Sequence, residues 1–307
     1  MMRTSLEHLP QSKQRELAHV VRVLFEEFEA AHTMGTSKWK KQARIFKIVL
    51  YGSYARGDWV DDPVGGYKSD YDLLIVVNDD RLTDFEVWSA AEDRLMREVT
   101  INNSLTAPVS FIVHTLTDVN AQLERGRPFF ADIVAQGIAL YEAEGYAFAQ
   151  PRNLPAGEAQ VEAQKHFDYW HPLAIHALKL ARASIDNGVA RDAAFMMHQA
   201  TERLYHCLLL TVTLYSPKSH RLNFLRSQCE QIAPALIEAW PRGDKFSRRC
   251  FELLRLAYVN SRYSPSYEIT AEELNWIGER VAALEGLVET ICRDHLAGLQ
   301  GADRAAE

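Results

Sequence analysis

The chain has 307 residues, 47% of them apolar and 24% charged, and its 34 basic and 41 acidic side chains leave a net charge of −7. That content excludes disorder as a whole-chain property, and the negative balance argues against a protein coated by nucleic acid or anionic lipid. The length allows two domains. Four cysteines, Cys207, Cys229, Cys250 and Cys292, stand far apart without CxxC spacing. They argue against a disulfide scaffold or a four-cysteine zinc site, and Cys207 inside HCLLL reads as a buried thiol. No stretch reaches 18 uninterrupted apolar residues and the start has no secretory pattern, so the expectation is a cytoplasmic protein without a membrane span.

Residues 11–31 repeat apolar side chains at helical spacing (Leu17, Val20, Val21, Leu24, Phe25, Phe28) and predict one amphipathic helix. The polar, basic stretch from His32 to Arg44 reads as a loop. IFKIVLY, 45–51, is a short β-rich run stopped by Gly52. DWVDDPVGGYKS, with Pro63 and the Gly65-Gly66 pair, reads as a loop, and YDLLIVV, 71–77, as a central strand. Thr83 followed three residues later by Glu86 has capping-box spacing and predicts a helix to about Val99. A third strand is expected over 107–115. Thr117 is the expected cap of a short helix ending near Gly126, Pro128 starts another ending near Gly137, and 138–142 is an edge strand. Beyond AQPRNLPAGEAQ the pattern is helical throughout. Helices are expected over about 161–187, 191–214, 221–232, 246–261 and 271–298. The domain division is therefore 1–148, a linker 149–160, and an all-α up-and-down bundle 161–300 after an α/β (α+β) domain with a short mixed sheet.

Chemistry concentrates in IVLYGSYARGDWVDDPVGGYKSDYDLLIVV. Gly52 and Ser53 follow directly on a strand, where a glycine lets the backbone approach a phosphate and the hydroxyl adds a donor. Arg56 and Lys68 are nearby cations for a triphosphate tail. The spacing matches neither a Walker loop nor a dinucleotide fingerprint. Asp70 and Asp72, at i and i+2, point to one face of a strand, and such paired carboxylates repel unless a proton, solvent or a cation offsets them. Oxygen ligands on a hard divalent ion, with nucleotide phosphates completing its shell, are one solution. A solvated strand entry is the bland alternative.

GSYARGD followed by SDYDLLIVV resembles the signature of the polymerase-β-like nucleotidyltransferases, in particular their small prokaryotic members. The resemblance covers about residues 40–145. It implies Gly52 and Ser53 at the nucleotide, with Arg56 and Gly57 matching a common extension. Asp70 and Asp72 would be the catalytic, metal-holding pair. It further implies Mg²⁺ or Mn²⁺, a nucleoside triphosphate (ATP is expected), and a hydroxyl acceptor. Members with full activity usually add a carboxylate on a later strand. Here that strand is VSFIVHT, with Ser110 and His114 instead, while Glu92, Asp93 and Asp118 fall on predicted helices or their starts. A nucleotide-binding module without efficient transfer is therefore an alternative, as is an aminoglycoside-type enzyme.

The second half resembles the HEPN family. The resemblance rests on His198, Gln199, Ala200 and Glu202 on an amphipathic helix, then a Pro-Lys-x-His-x-Leu turn over Pro217 to Leu222. It covers about 161–300 and implies a homodimer through the bundle and a role resembling toxin–antitoxin control. HEPN ribonucleases carry Arg-x(4–6)-His near their last helices. Here Arg262 is present as an RNA-facing candidate, but no histidine follows within six residues, so ribonuclease activity is the weaker reading. Arg191-x6-His198 has similar spacing in the wrong place and reads as coincidence. Tyr267, in a Pro- and Ser-rich turn, resembles the tyrosine that partner enzymes modify. His166, His171 and His176, five apart, do not share a helical face, which argues against a metal cluster formed by these three.

Overall fold

A computed structural model describes residues 2–33, 42–62 and 67–306. The expected loop positions Pro63, Gly65 and Gly66, and most of the basic stretch after His32, lie outside the described residues. The chain divides into two compact units, one up to Asn153 and one from Leu154.

In the first unit, α1 (Gln11–Thr33) precedes β1 (Ile45–Tyr51), which runs straight into the short helix α2 (Gly52–Arg56). A two-residue hairpin follows, β2 (Asp61–Asp62) with β3 (Tyr67–Lys68), inside the stretch read as loop. Then come β4 (Tyr71–Val77), α3 (Phe85–Thr100), β5 (Val109–Thr115), α4 (Leu116–Glu124), α5 (Pro128–Gln136) and β6 (Ile138–Glu142). The sheet order is β5-β4-β1-β6, antiparallel except for the parallel β4–β5 pair. Both central strands are covered on both faces, which is why their sequences are nearly continuous apolar runs. Ile48, Leu50, Tyr71, Leu73 and Ile75 pack with Leu17, Val20 and Leu24 of α1 and Trp88, Ala91 and Leu95 of α3. On the other face, α5 sets Phe130 edge-on to His114. Leu73 to Val77 have no exposure at all, and burial of each such side chain contributes about 1.5–3 kcal/mol.

Two predicted helix starts differ from the structure. Thr83 closes a single 3₁₀ turn, Asp80–Thr83, with its hydroxyl donating to the Asp80 carbonyl; α3 starts after Asp84 and no capping box forms. The cap of α4 is Thr115, which accepts from the Asp118 amide at 3.1 Å, rather than Thr117.

The second unit is helical: α6 (Ala156–Asp186), α7 (Ala190–Thr213), α8 (Leu222–Ile232), a 3₁₀ segment Pro234–Ala239, α9 (Lys245–Tyr263) and α10 (Ala271–Ala306). The short break between α6 and α7 makes them an antiparallel pair, and α9 and α10 pack on α7 around Leu204, Leu208, Leu254, Ile277 and Leu284. All four cysteines are free and buried. α6 starts at Ala156, five residues before the expected 161, with Gly157 of its first turn close to α10. A Cβ there would meet the Asp303 carboxylate at 2.5 Å.

Candidate functional site

The register of the sheet assembles the site. Asp72 of β4 pairs with Tyr51 on one side and Ser110 on the other. Because β1 ends at Tyr51, the Gly52-Ser53 turn lies at the same end of the sheet as Asp70 and Asp72. Gly52 takes φ +72°, a left-handed conformation that side chains disfavour, and this turns the chain sharply from strand into α2. Asp72 is fully buried and Asp70, just before β4, is half-buried. Asp70, Asp72 and Ser110 share one face of the sheet.

Two hydroxyls of α2 mark this end of the sheet. Ser53 Oγ is buried and has no hydrogen-bond partner among the described residues. A buried hydroxyl without a partner costs about 1–3 kcal/mol, so its natural complement is a group that the chain does not supply. The Tyr54 hydroxyl is likewise buried and unpartnered. Burial, then the negative charges of Asp61, Glu16, Asp70 and Asp72, hold its pKa well above the ordinary phenol value. Tyr54 was not among the residues singled out in this turn, where Gly52, Ser53 and Arg56 were named.

Ser110 Oγ donates to Asp70 Oδ2 at 2.9 Å. The β5 position beside Asp72 thus carries a neutral donor. His114 is four residues further along β5, about 13 Å by strand rise, and pairs with Asp118 at 2.6 Å between Nδ1 and Oδ2. It is not brought to Asp70 or Asp72. Glu92 and Asp93 sit on α3, whose Trp88 packs against Phe111 on the opposite face of the sheet. The two predicted cations flank the site in local ion pairs, Arg56 with Asp58 at 3.1 Å and Lys68 with Asp61 at 3.4 Å.

The helical unit holds a second polar constellation. His198, Glu202 and His206 are four residues apart on one face of α7, and His220 reaches the same carboxylate from the segment before α8. Glu202 Oε1 is 2.8 Å from His220 Nδ1. Burial pushes His198 down to about 3 and His206 down to about 4, so both are neutral near pH 7. The His220 ring stacks on Tyr258 at 5.2 Å, and the Arg262 guanidinium lies 4.9 Å from the same ring. The spacing of His198, Glu202 and His206 was visible in the sequence; the approach of His220 was not.

Two other predicted residues land elsewhere. Arg191 donates to the carbonyls of Asn260, Ser261 and Ser264, tying α7 to the end of α9. Tyr267 is 7% exposed, and its hydroxyl donates to the Leu253 carbonyl at 3.0 Å. Of the two readings of this turn tyrosine, exposed for modification or packed on the bundle, the structure has the packed one: the ring lies in the bundle core.

The polymerase beta nucleotidyltransferase family profile matches residues 36–125, and the HEPN domain profile matches residues 167–290. No curated protein matches the chain at a significant level.

Proposed function

Since the chain carries a polymerase beta nucleotidyltransferase domain followed by a HEPN domain, we propose that it transfers a nucleoside monophosphate from ATP to a hydroxyl acceptor at the Gly52–Ser53/Asp70–Asp72 end of the sheet. The observation that carries this reading is the buried, unpartnered Ser53 hydroxyl at the end of the sheet where two carboxylates share one strand face. The donor set is all oxygen, which fits Mg²⁺ or Mn²⁺ held by Asp70 and Asp72. Bound there, such an ion supplies charge neutralisation for phosphoryl oxygens and acidifies an attacking hydroxyl. Gly52 and Ser53 donate to the phosphates, and Arg56 and Lys68 stand at the edge for the leaving pyrophosphate. The acceptor oxygen bonds to the α-phosphorus as the bond to the β-phosphate oxygen breaks, and the hydroxyl proton is released. A protein hydroxyl is the acceptor class that the HEPN pairing favours. A homodimer through the helical unit belongs to the same reading and rests on the family resemblance alone.

Calorimetric titration with α,β-methylene ATP tests the site. The wild type should bind in the presence of Mg²⁺ and lose most affinity without it. Asp70→Asn and Asp72→Asn should lose the metal dependence, and Ser53→Ala should bind more weakly while keeping it. Metal-independent binding unaffected by all three variants would mean that nucleotide does not bind at these residues. Tight binding combined with no pyrophosphate release from ATP would favour the non-catalytic module.

A second reading is favoured by one observation. His220, held through Nδ1 by the buried Glu202, shares the Tyr258 ring with Arg262. That supplies an oriented imidazole and a guanidinium for phosphodiester cleavage, from two elements instead of one Arg-x(4–6)-His segment. RNA cleavage that survives Asp72→Asn and is lost in His220→Ala and Arg262→Ala would support it.

A further inference from the structure

We propose that His171 of α6 with Glu285 and Glu289 of α10 forms a binding site for a late first-row divalent cation of the Zn²⁺ or Co²⁺ class, clipping these two helices together. The three residues each present one ligand atom, and these atoms all lie within 4.8 Å of one another. Glu285 and Glu289 are one turn apart on α10, so both carboxylates face α6 at the level of His171. His171 Nε2 and Glu285 Oε1 are 3.1 Å apart. In a tetrahedral shell with bonds of about 2.0–2.1 Å, neighbouring ligand atoms are about 3.3 Å apart, so this edge is already nearly formed. Glu289 completes the trio within the same 4.8 Å.

The surroundings fix the ligands without blocking them. The His171 ring lies flat on Phe167, with centroids 4.9 Å apart and planes 14° apart, which sets the direction of its nitrogens. Arg293 donates to Glu289 from Nε at 2.9 Å and from Nη2 at 2.7 Å, and both bonds go to Oε1. Glu289 Oε2 is thereby left to face an ion while the guanidinium orients the carboxylate, the role that outer partners play around metal ligands. Arg293 is itself seated on Phe167, 5.1 Å from the ring centroid. With two carboxylates against one guanidinium, and an imidazole that coordinates an ion in its neutral form, the site is favourable to a divalent cation. Three protein ligands leave a position for water, and mixed nitrogen and oxygen donors suit Zn²⁺ or Co²⁺ better than Mg²⁺.

The test uses untagged full-length chain, stripped by a chelator, in an Asp70→Asn/Asp72→Asn background so that the other carboxylate pair is silent. Co²⁺ is the probe because its visible d–d bands report nitrogen and oxygen ligation directly. The expected result is a saturable spectrum at one equivalent, displaced by Zn²⁺, with a rise in melting temperature. His171→Asn and Glu285→Gln should each weaken binding by about tenfold or more, as loss of a ligand does at least as severely as loss of its outer partner. The more exposed Glu289→Gln covers the case in which either of those fails to fold. Arg293→Met, which removes the outer partner of Glu289, should weaken Co²⁺ binding as well, whereas a simple ion-pair cluster would only lose stability. A chain that shows no saturable Co²⁺ spectrum, or one that every ligand variant retains unchanged, overturns the site.

Discussion

Replacing Asp72 by Asn should stabilise the metal-free protein and abolish its response to metal and nucleotide. Side chains at i and i+2 on a strand are about 6.6 Å apart, and two negative charges at that distance repel by about 2.5 kcal/mol at an effective dielectric of about 20. Asp72 is fully buried, so water does little to reduce this, and Asn keeps the shape and most of the hydrogen-bonding capacity. Relief of the repulsion should raise the melting temperature of the apo protein by about 2–4 °C for each kcal/mol recovered. Ligand closes that gap. At a free concentration of about 100 Kd the wild type gains about 2.7 kcal/mol, while a variant binding about 100-fold more weakly gains about 0.4 kcal/mol. Thermal melts with and without Mg²⁺ and α,β-methylene ATP should therefore show the Asp72→Asn variant melting above wild type when empty and close to it when loaded, because only wild type gains a large ligand-induced shift. A variant that is less stable when empty and keeps the full ligand-induced shift would refute the charge argument.

Three further outcomes follow from packing and burial. Lys47 is fully buried and pairs with Glu142, whose side chain is 34% exposed; Glu142→Gln should cost about 1–3 kcal/mol in urea denaturation, whereas Lys47→Met, which removes the buried charge itself, should be nearly neutral. Tyr267→Phe should cost about 1 kcal/mol through loss of the bond to Leu253, and mass spectrometry after incubation with ATP and Mg²⁺ should find no adduct on Tyr267 of the native chain. His198 and His206 are held neutral by burial, with pKa values down to about 3 and about 4. The unfolded chain therefore binds protons first, and stability is fully present above the unfolded value and lost as pH falls. Between about pH 7.5 and about pH 5 this should remove up to about 4 kcal/mol from the helical unit, measured as the shift of its denaturation midpoint; a midpoint that rises on acidification would contradict it.

Strands and paired carboxylates were legible because they rest on local rules. The runs 45–51 and 71–77 are apolar on both faces, and both strands have those bounds. The i, i+2 spacing of Asp70 and Asp72 fixes their shared face in any register. What escaped the sequence depends on partners distant in the chain. Ser110 was visible as a residue, but its bond to Asp70 requires the parallel β4–β5 register. His220 meets Glu202 across 18 positions, and no periodicity reports such a contact. His171 shares no face with His166 and His176, yet it finds two carboxylates on a helix more than a hundred residues later. Thr83 and Thr117 failed as caps because competing hydrogen bonds were nearby: Thr83 turns back onto Asp80, and Thr115 captures the Asp118 amide first. Tyr267 was read from a turn-rich composition, which does not report that its ring is taken into the core of the bundle.

Nucleotidyl transfer at Asp70 and Asp72 is tested by following ATP labelled separately at the α- and γ-phosphates. With Mg²⁺ and the intact chain, the γ-label should leave as pyrophosphate. The α-label should appear in AMP or in an AMP-modified acceptor, and both products should fall by orders of magnitude in Asp70→Asn and Asp72→Asn. Orthophosphate and ADP as the products, or unchanged pyrophosphate release by both variants, would contradict it.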